Sequence, residues 1–217
     1  LARKPAEQSV NRADILLAAA GVLRRNGYEA ATMKDIAAAV NLTAASLYHH
    51  FRNKDTLLLT VLEVGLEAII SRMQPIARTE RSSTDRLREM IRSHVVAVTE
   101  NTAIAAAMVF EIRALMNVKP PPKSASAEDR AAFEEFRARR DAFFARRDEF
   151  EHLFRQVVRE GIERGEFRPV DAGIYAKTLL GAHNWVAVWY RPDGRLSGEA
   201  IADMMADMLI RGVLPHV

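Results

Sequence analysis

Apolar residues along most of this chain recur at three- and four-residue steps, the period at which one stripe of an α-helix turns inward. Ile15, Ala18, Ala19, Val22 and Leu23 form such a stripe behind Asn11, a capping residue type, with Asp14 in the first turn; Arg24, Arg25 and Gly27 mark the helix end, Gly27 as a left-handed cap. Met33, Ile36, Ala37 and Val40 form a short second stripe opened by Thr32 and Asp35, whose hydroxyl and carboxylate suit a capping box. Asn41-Leu42 interrupts, and Thr43 caps a third helix through Phe51, with Leu47 and Phe51 turned inward. Asn53 opens a fourth helix, whose apolar positions run from Leu57 to Met73 before Pro75 stops it. Further helices are expected over 86–100, 103–116, 129–165, 171–190 and 198–211, with a proline-rich loop from Val118 to Ser124 and a turn at Arg191-Pro192-Asp193-Gly194. No alternating pattern competes. The expected fold is all-α: a three-helix helix-turn-helix domain over 1–55, and a larger helical ligand-binding and dimerisation domain over 56–217.

Composition narrows the function classes. With 217 residues and 49% hydrophobic content the chain has enough apolar surface for a core, and with no cysteine it has no disulfide or thiolate chemistry. No apolar stretch reaches the roughly 18 residues a membrane span needs, and Leu1-Ala2-Arg3-Lys4-Pro5 reads as a flexible basic arm rather than a secretory signal. A cytoplasmic location without a membrane partner is therefore expected. Charge is uneven: the first 60 residues hold eight basic and five acidic side chains, which accounts for the whole net charge of +3. A polyanion-binding face is more plausible there than elsewhere, although scattered surface charge produces the same count.

The second and third helices have the form that DNA requires. A short helix after a tight turn enters a major groove about 12 Å wide while its predecessor braces on the backbone. With Leu47 and Phe51 inward, Ala44, Ala45, Ser46, Tyr48 and His49 face the groove; small side chains permit close approach, and Ser46, Tyr48 and His49 supply polar readers. Thr32, Lys34, Thr43, His50 and Lys54 stand at helix starts and ends, where hydroxyls, N–H groups and cations suit phosphates. Any helical protein contains amphipathic helix pairs, so this reading alone leaves ordinary surface residues as an alternative.

The run Gly27-Tyr28-Glu29-Ala30-Ala31-Thr32-Met33-Lys34-Asp35-Ile36-Ala37, followed by Ser46-Leu47-Tyr48-His49-His50-Phe51-Arg52-Asn53-Lys54-Asp55-Thr56-Leu57-Leu58, resembles the TetR family of bacterial repressors. Asn41 departs from the glycine usual in that turn. The resemblance implies a homodimer that reads a palindromic operator in double-stranded DNA and releases it when a small-molecule effector binds the C-terminal domain. It also implies pairing through the last two helices, where Ile201, Met204, Met205, Met208 and Leu209 share a stripe that would otherwise be ordinary core. The segment Gly165-Glu166-Phe167-Arg168-Pro169-Val170-Asp171, with Asn184-Trp185 and Trp189-Tyr190, is similar to a subgroup controlling fatty-acid or sterol breakdown, which implies an acyl-CoA-like effector.

On the long helix, Phe136, Phe143, Phe150 and Val157 alternate with Arg140, Arg147, Phe154 and Gly161, so two arginines share a face with phenylalanines. Either they pair with internal acids such as Glu111 or reach solvent, or they hold the charged end of an anionic ligand whose apolar part lies among Met108, Phe110, Phe143, Phe150 and Trp185. Catalytic motifs are absent: there is no HExxH, phosphate-binding glycine loop or GxSxG elbow. Asp148 and His152 stand at a spacing that suits a metal, but such a pair is ordinarily a surface contact. Neither enzyme activity, a metal nor a cofactor is expected. The remaining alternative is a non-specific architectural DNA-binding protein.

Overall fold

The computed structural model describes residues 11–215, all of whose regular elements are helices. The basic arm Leu1–Pro5 lies outside the described residues. The elements are α1 (Arg12–Ala30), α2 (Met33–Ala39), α3 (Ala44–His50), α4 (Lys54–Ala77), α5 (Ser83–Glu100), α6 (Thr102–Phe110), α7 (Ile112–Met116), α8 (Ala127–Glu163), α9 (Ala172–Trp189) and α10 (Gly198–Arg211).

Capping sets most of these boundaries. Asn11, Thr32, Thr43, Asn53, Ser82, Asn101, Ser126, Asp171 and Ser197 each accept a hydrogen bond from a backbone N–H of the turn they open, so among the described helices only the five-residue α7 starts without a side-chain cap. Ser82 and Ser126 repeat the arrangement of Thr32, each also bonding an aspartate three residues on, at 2.7 Å.

Three local expectations are corrected. Pro75 does not stop α4, which runs two residues further to Ala77; a proline in the last turn forfeits one hydrogen bond without breaking the helix. The stretch 103–116 is two helices, because the backbone departs at Glu111 and α7 restarts there without a cap. Gly27 has positive φ, but its ψ of 165° is extended rather than left-handed helical, so the chain kinks and makes one more turn to Ala30. Asn41, at φ 55°, takes the left-handed conformation that its turn requires.

α5 is the centre of the body and packs against α4, α8, α9 and α10. Its inward face carries Leu87, Met90, Ile91, Val95 and Val98, and Phe154 of α8 is completely buried beside it. Arg86, also buried, donates to the Ala77 carbonyl at 2.9 Å and to Glu160 at 2.6 Å, joining the end of α4 to α8. Desolvation alone would raise the Glu160 carboxyl; the bonds from Arg86 and Gln156 outweigh it and hold the group below its usual range. α4 starts in the N-terminal head and ends in the body, with Leu57 and Leu58 buried at one end and Ile70 and Met73 at the other.

Candidate DNA-reading face and effector cavity

In the head, α2 and α3 are fixed by contacts among near neighbours. Thr32 Oγ1 accepts from the Asp35 N–H at 3.1 Å while Asp35 accepts from the Thr32 N–H at 3.0 Å. The Thr32 hydroxyl, which donates to the same carboxylate at 2.7 Å, and then the Thr32 N–H keep the Asp35 carboxyl below the usual carboxylate range. The Leu42 N–H donates to Ala37 at 2.9 Å and closes the turn, and Thr43 caps α3 by accepting from Ser46 at 3.1 Å. Leu47 and Phe51 are buried against the head, which leaves Tyr48 half-exposed and Ala45, His49 and His50 exposed on one outer surface, with Ala44 and Ser46 partly covered. Thr32, Lys34 and Thr43 are exposed beside them.

Lys54 lies apart from them and is partly buried. Its ammonium donates to the carbonyls of Tyr28 at 2.6 Å and Ala31 at 2.9 Å and stands 4.2 Å from the Tyr28 ring centre, so it closes the end of α1 instead of pointing to a phosphate. The Tyr28 hydroxyl donates to Asp55; burial first, and then this bond, push the phenol well above its usual range, so it stays a donor. The Tyr28 N–H donates to Glu111 at 3.0 Å, tying α1 to the α6–α7 break, and Arg24 donates to Thr102 at 2.6 Å, tying α1 to the start of α6. Arg52 pairs with Asp129 at 2.6 Å and so ties the end of α3 to the start of α8.

A cavity of about 1150 Å³ lies where the head meets the body, somewhat above the roughly 300–1,000 Å³ usual for ligand pockets. Arg12, Leu16 and Leu17 of α1 form one wall, and Val64, Gly65 and Ile69 of α4 continue it. Ile104 and Met108 of α6, Phe150 of α8, and Leu180 and Asn184 of α9 complete it. Leu17 and Val64 are about half-exposed at 50% and 48%, an apolar rim without cover. Gly65 lets α6 approach: a methyl group there would come within 2.5 Å of Ile104 Cγ2.

Most charges on this wall are spent on one another. Arg139 binds Glu63 through two nitrogens, one at 3.2 Å, and donates to Thr60 at 3.0 Å. Lys177 donates to Glu151 at 2.7 Å, and Arg155 donates to it as well. Burial would raise the Glu151 carboxyl, but these two cations outweigh it and keep the group ionised. Arg147 stands exposed on the wall with no salt bridge among the described residues.

Of the seven residues expected around an effector, Met108, Arg147 and Phe150 line this cavity. The other four lie outside it. Arg140 turns back to Asp141 at 2.8 Å, and Phe143 is buried against Phe144. Phe110 and Trp185 sit on the outer surface, edge to face at 6.5 Å. A seven-residue step on a 37-residue helix marks a face but not which neighbour that face meets, which is why α8 divides this way.

The α1 and α4 contributions were missed because Leu16, Leu17 and Val64 look like ordinary members of amphipathic helices. His94 and His183 left a signal: each interrupts an apolar stripe, His94 between Met90 and Val98, and His183 between Leu179 and Val186. Their Nδ1 atoms are 3.1 Å apart, with Phe150 and Phe154 packed on them. Burial pushes His94 down to about 4, and burial together with the neighbouring His94 pushes His183 well below the usual imidazole range, so both rings are neutral at pH 7.

Two family models match the chain: "Bacterial regulatory proteins, tetR family" over residues 15–61 and "Tetracyclin repressor-like, C-terminal domain" over residues 130–213. The HTH-type transcriptional repressor KstR2 of Mycolicibacterium smegmatis is 25% identical over 211 residues, covering 96% of this chain and 93% of its own. Among solved structures, PfmR of Thermus thermophilus superposes with a TM-score of 0.73 at 29% identity, over 93% of this chain and 98% of its own. AibR, solved in complex with isovaleryl coenzyme A and operator DNA, superposes with a TM-score of 0.69 at 28% identity, over 90% and 96%.

Proposed function

Since the chain belongs to the TetR family of bacterial regulators, and is thus a DNA-binding transcriptional regulator with a ligand pocket, we propose that it is a repressor that reads a palindromic operator as a homodimer. An acyl-CoA or related lipid thioester bound in the cavity releases it. The observation that carries this reading is that α1, a helix of the DNA-reading head, supplies one wall of the cavity. A ligand there touches the head itself. Arg12 lines the cavity and lies 5.3 Å over the ring of Phe51, the residue that ends the recognition helix.

On this reading Tyr48, Ser46 and His49 reach base edges, Ala44 and Ala45 lie against thymine methyls, and Thr32, Lys34, Thr43 and His50 meet phosphates. The effector's apolar body lies along Leu17, Val64, Ile69, Ile104, Met108 and Phe150, and Arg147 takes a phosphate. The AibR complex supports the class of ligand, since that relative is solved with a coenzyme A thioester.

Dimerisation is supported by an apolar stripe that the protomer leaves about half-exposed. Ile174, Trp185 and Val188 on α9 are 64%, 54% and 42% exposed, and Met204 and Met208 on α10 are 53% and 66% exposed. Gly181 sits in the α9 stripe with no atom within 4 Å of the place a methyl group would occupy. An exposed mid-helix glycine costs about 1 kcal/mol relative to alanine; close approach of a second helix offsets that. The two recognition helices of a dimer must stand roughly 34–36 Å apart, or a multiple, to reach successive grooves. Wedging α1 from α4 changes that separation and breaks the register.

The test is selection of a duplex from random DNA, followed by anisotropy titration with and without palmitoyl-CoA, alongside native mass spectrometry of the purified protein for a retained ligand. One palindrome preferred by orders of magnitude, weakened by the thioester, supports the reading. Equal affinity for all sequences with steep salt dependence supports an architectural role instead.

A further inference from the structure

Among the polar groups at the cavity, the histidine pair stands apart because its two rings meet each other. His94 lines the cavity from α5, beside Phe150, and its Nδ1 is 3.1 Å from Nδ1 of His183. His183 is completely buried, and its Nε2 has no hydrogen-bond partner among the described residues. Nε2 of His94 has no partner among them either, but unlike His183 Nε2 it retains accessible surface. For a ring 6% exposed on the cavity wall, that surface is the cavity.

Two neutral imidazoles that meet through Nδ1 share one proton between those atoms, and the choice of ring fixes both tautomers. If His94 carried it, His183 would hold an N–H at Nε2 buried with no acceptor. If His183 carries it, the orphan at His183 Nε2 is a bare lone pair, and His94 must carry its proton on Nε2. Buried N–H groups without acceptors are the rarer and costlier orphans. The second arrangement therefore prevails, and the buried ring acts as a lock on the tautomer of the exposed one.

Resting on the reading of the cavity as an effector site, we propose that His94 Nε2–H is its internal hydrogen-bond donor, and that it selects ligands whose apolar body carries a carbonyl oxygen, with His183 as the positioning residue. Arg139, Glu63, Glu151 and Lys177 are engaged with one another and would have to be pulled apart to serve instead. His94 needs no rearrangement.

The experiment compares palmitoyl-CoA with S-hexadecyl-CoA, the thioether that lacks only the carbonyl oxygen, by calorimetric titration of the full chain. The wild type should prefer the thioester by roughly three- to ten-fold, the worth of one net neutral hydrogen bond. His94→Phe should bind both probes equally, with thioether affinity retained as the check that the cavity is intact. His94→Gln, which keeps an amide donor, should recover part of the preference. An independent ¹⁵N–¹H long-range spectrum of the histidines at pH 7.5, without ligand, should show His94 protonated on Nε2 and His183 on Nδ1, assigned by the peaks that vanish in H94F and H183F. Equal binding of the two probes by the wild type overturns the proposal while leaving the acyl-CoA reading standing. So does a His94 ring protonated on Nδ1, whatever binds. Failure of both probes to bind overturns the effector reading and the carbonyl assignment with it.

Discussion

In the head, the helix starts and the α2–α3 turn are closed by residues a few positions away: Thr32 by Asp35, Asn41 by its own left-handed conformation, Thr43 by Ser46, Asn53 by Thr56; the end of α1, closed by Lys54, is the exception. Around the cavity the joining contacts run the length of the chain, with Arg139 reaching back 76 positions to Glu63 and His183 reaching back 89 to His94. A surface that must present one fixed helix to a groove is built from local, independently satisfied contacts. A space that must respond to a ligand is built where six helices meet, so that a change at one wall moves the others. The difference also sets which perturbations are local and which are felt at a distance.

The largest effect should come from removing the anchor of the recognition helix. Phe51 is 2% exposed, and Phe51→Ala should destabilise the fold by about 3–5 kcal/mol, read from denaturant unfolding. A loss under about 1 kcal/mol would mean that α3 is not held from inside. Acid comes next, and it acts on the body. His94 has its folded-state pKa lowered to about 4, so the unfolded chain takes up protons first as pH falls. Stability from this group is complete above its unfolded value near 6.5 and is lost between there and about 4, roughly 3 kcal/mol in all. His183, shifted in the same direction, adds to the loss. Urea midpoints measured from pH 7.5 to 4.5 should fall steeply in the wild type and less steeply in His94→Phe; parallel slopes would place the acid sensitivity elsewhere.

A smaller and purely local effect is expected from Asn53→Ala, which removes the cap of α4: about 1 kcal/mol, with operator preference unchanged in those molecules that remain folded. An effect of similar size is expected at Gly181. Gly181→Ala should make isolated α9 more helical by about 1 kcal/mol while shifting the dimer toward monomer in sedimentation at low concentration. A tighter dimer would contradict the close helix approach.

The same contrast decides what was legible in advance. Capping residues such as Thr32, Thr43, Asn53 and Ser197 announce helix starts because their chemistry is spent within one turn, and α10 begins and ends where its apolar stripe does. Leu47 and Phe51 follow from spacing alone. Lys54 shows the limit: a cation at a helix start suits a phosphate, and only the returning end of α1 reveals the carbonyls that occupy it. The division of 103–116 depends on Glu111, whose carboxylate accepts from the Tyr28 N–H, 83 positions away. Arg140 and Arg147 look equivalent on a helical wheel, yet one meets its neighbour Asp141 and the other the cavity, because α4 and α9 cover only part of α8. A histidine within an apolar stripe, as at 94 and 183, is a further signal that spacing carries.

The central claim, that the cavity controls the head through their shared wall, is tested most directly by operator affinity at saturating palmitoyl-CoA, with binding of the thioester verified by calorimetry in the same buffer. The account predicts a roughly 5- to 150-fold weakening of operator binding. Thioester bound at full occupancy with operator affinity unchanged would contradict it.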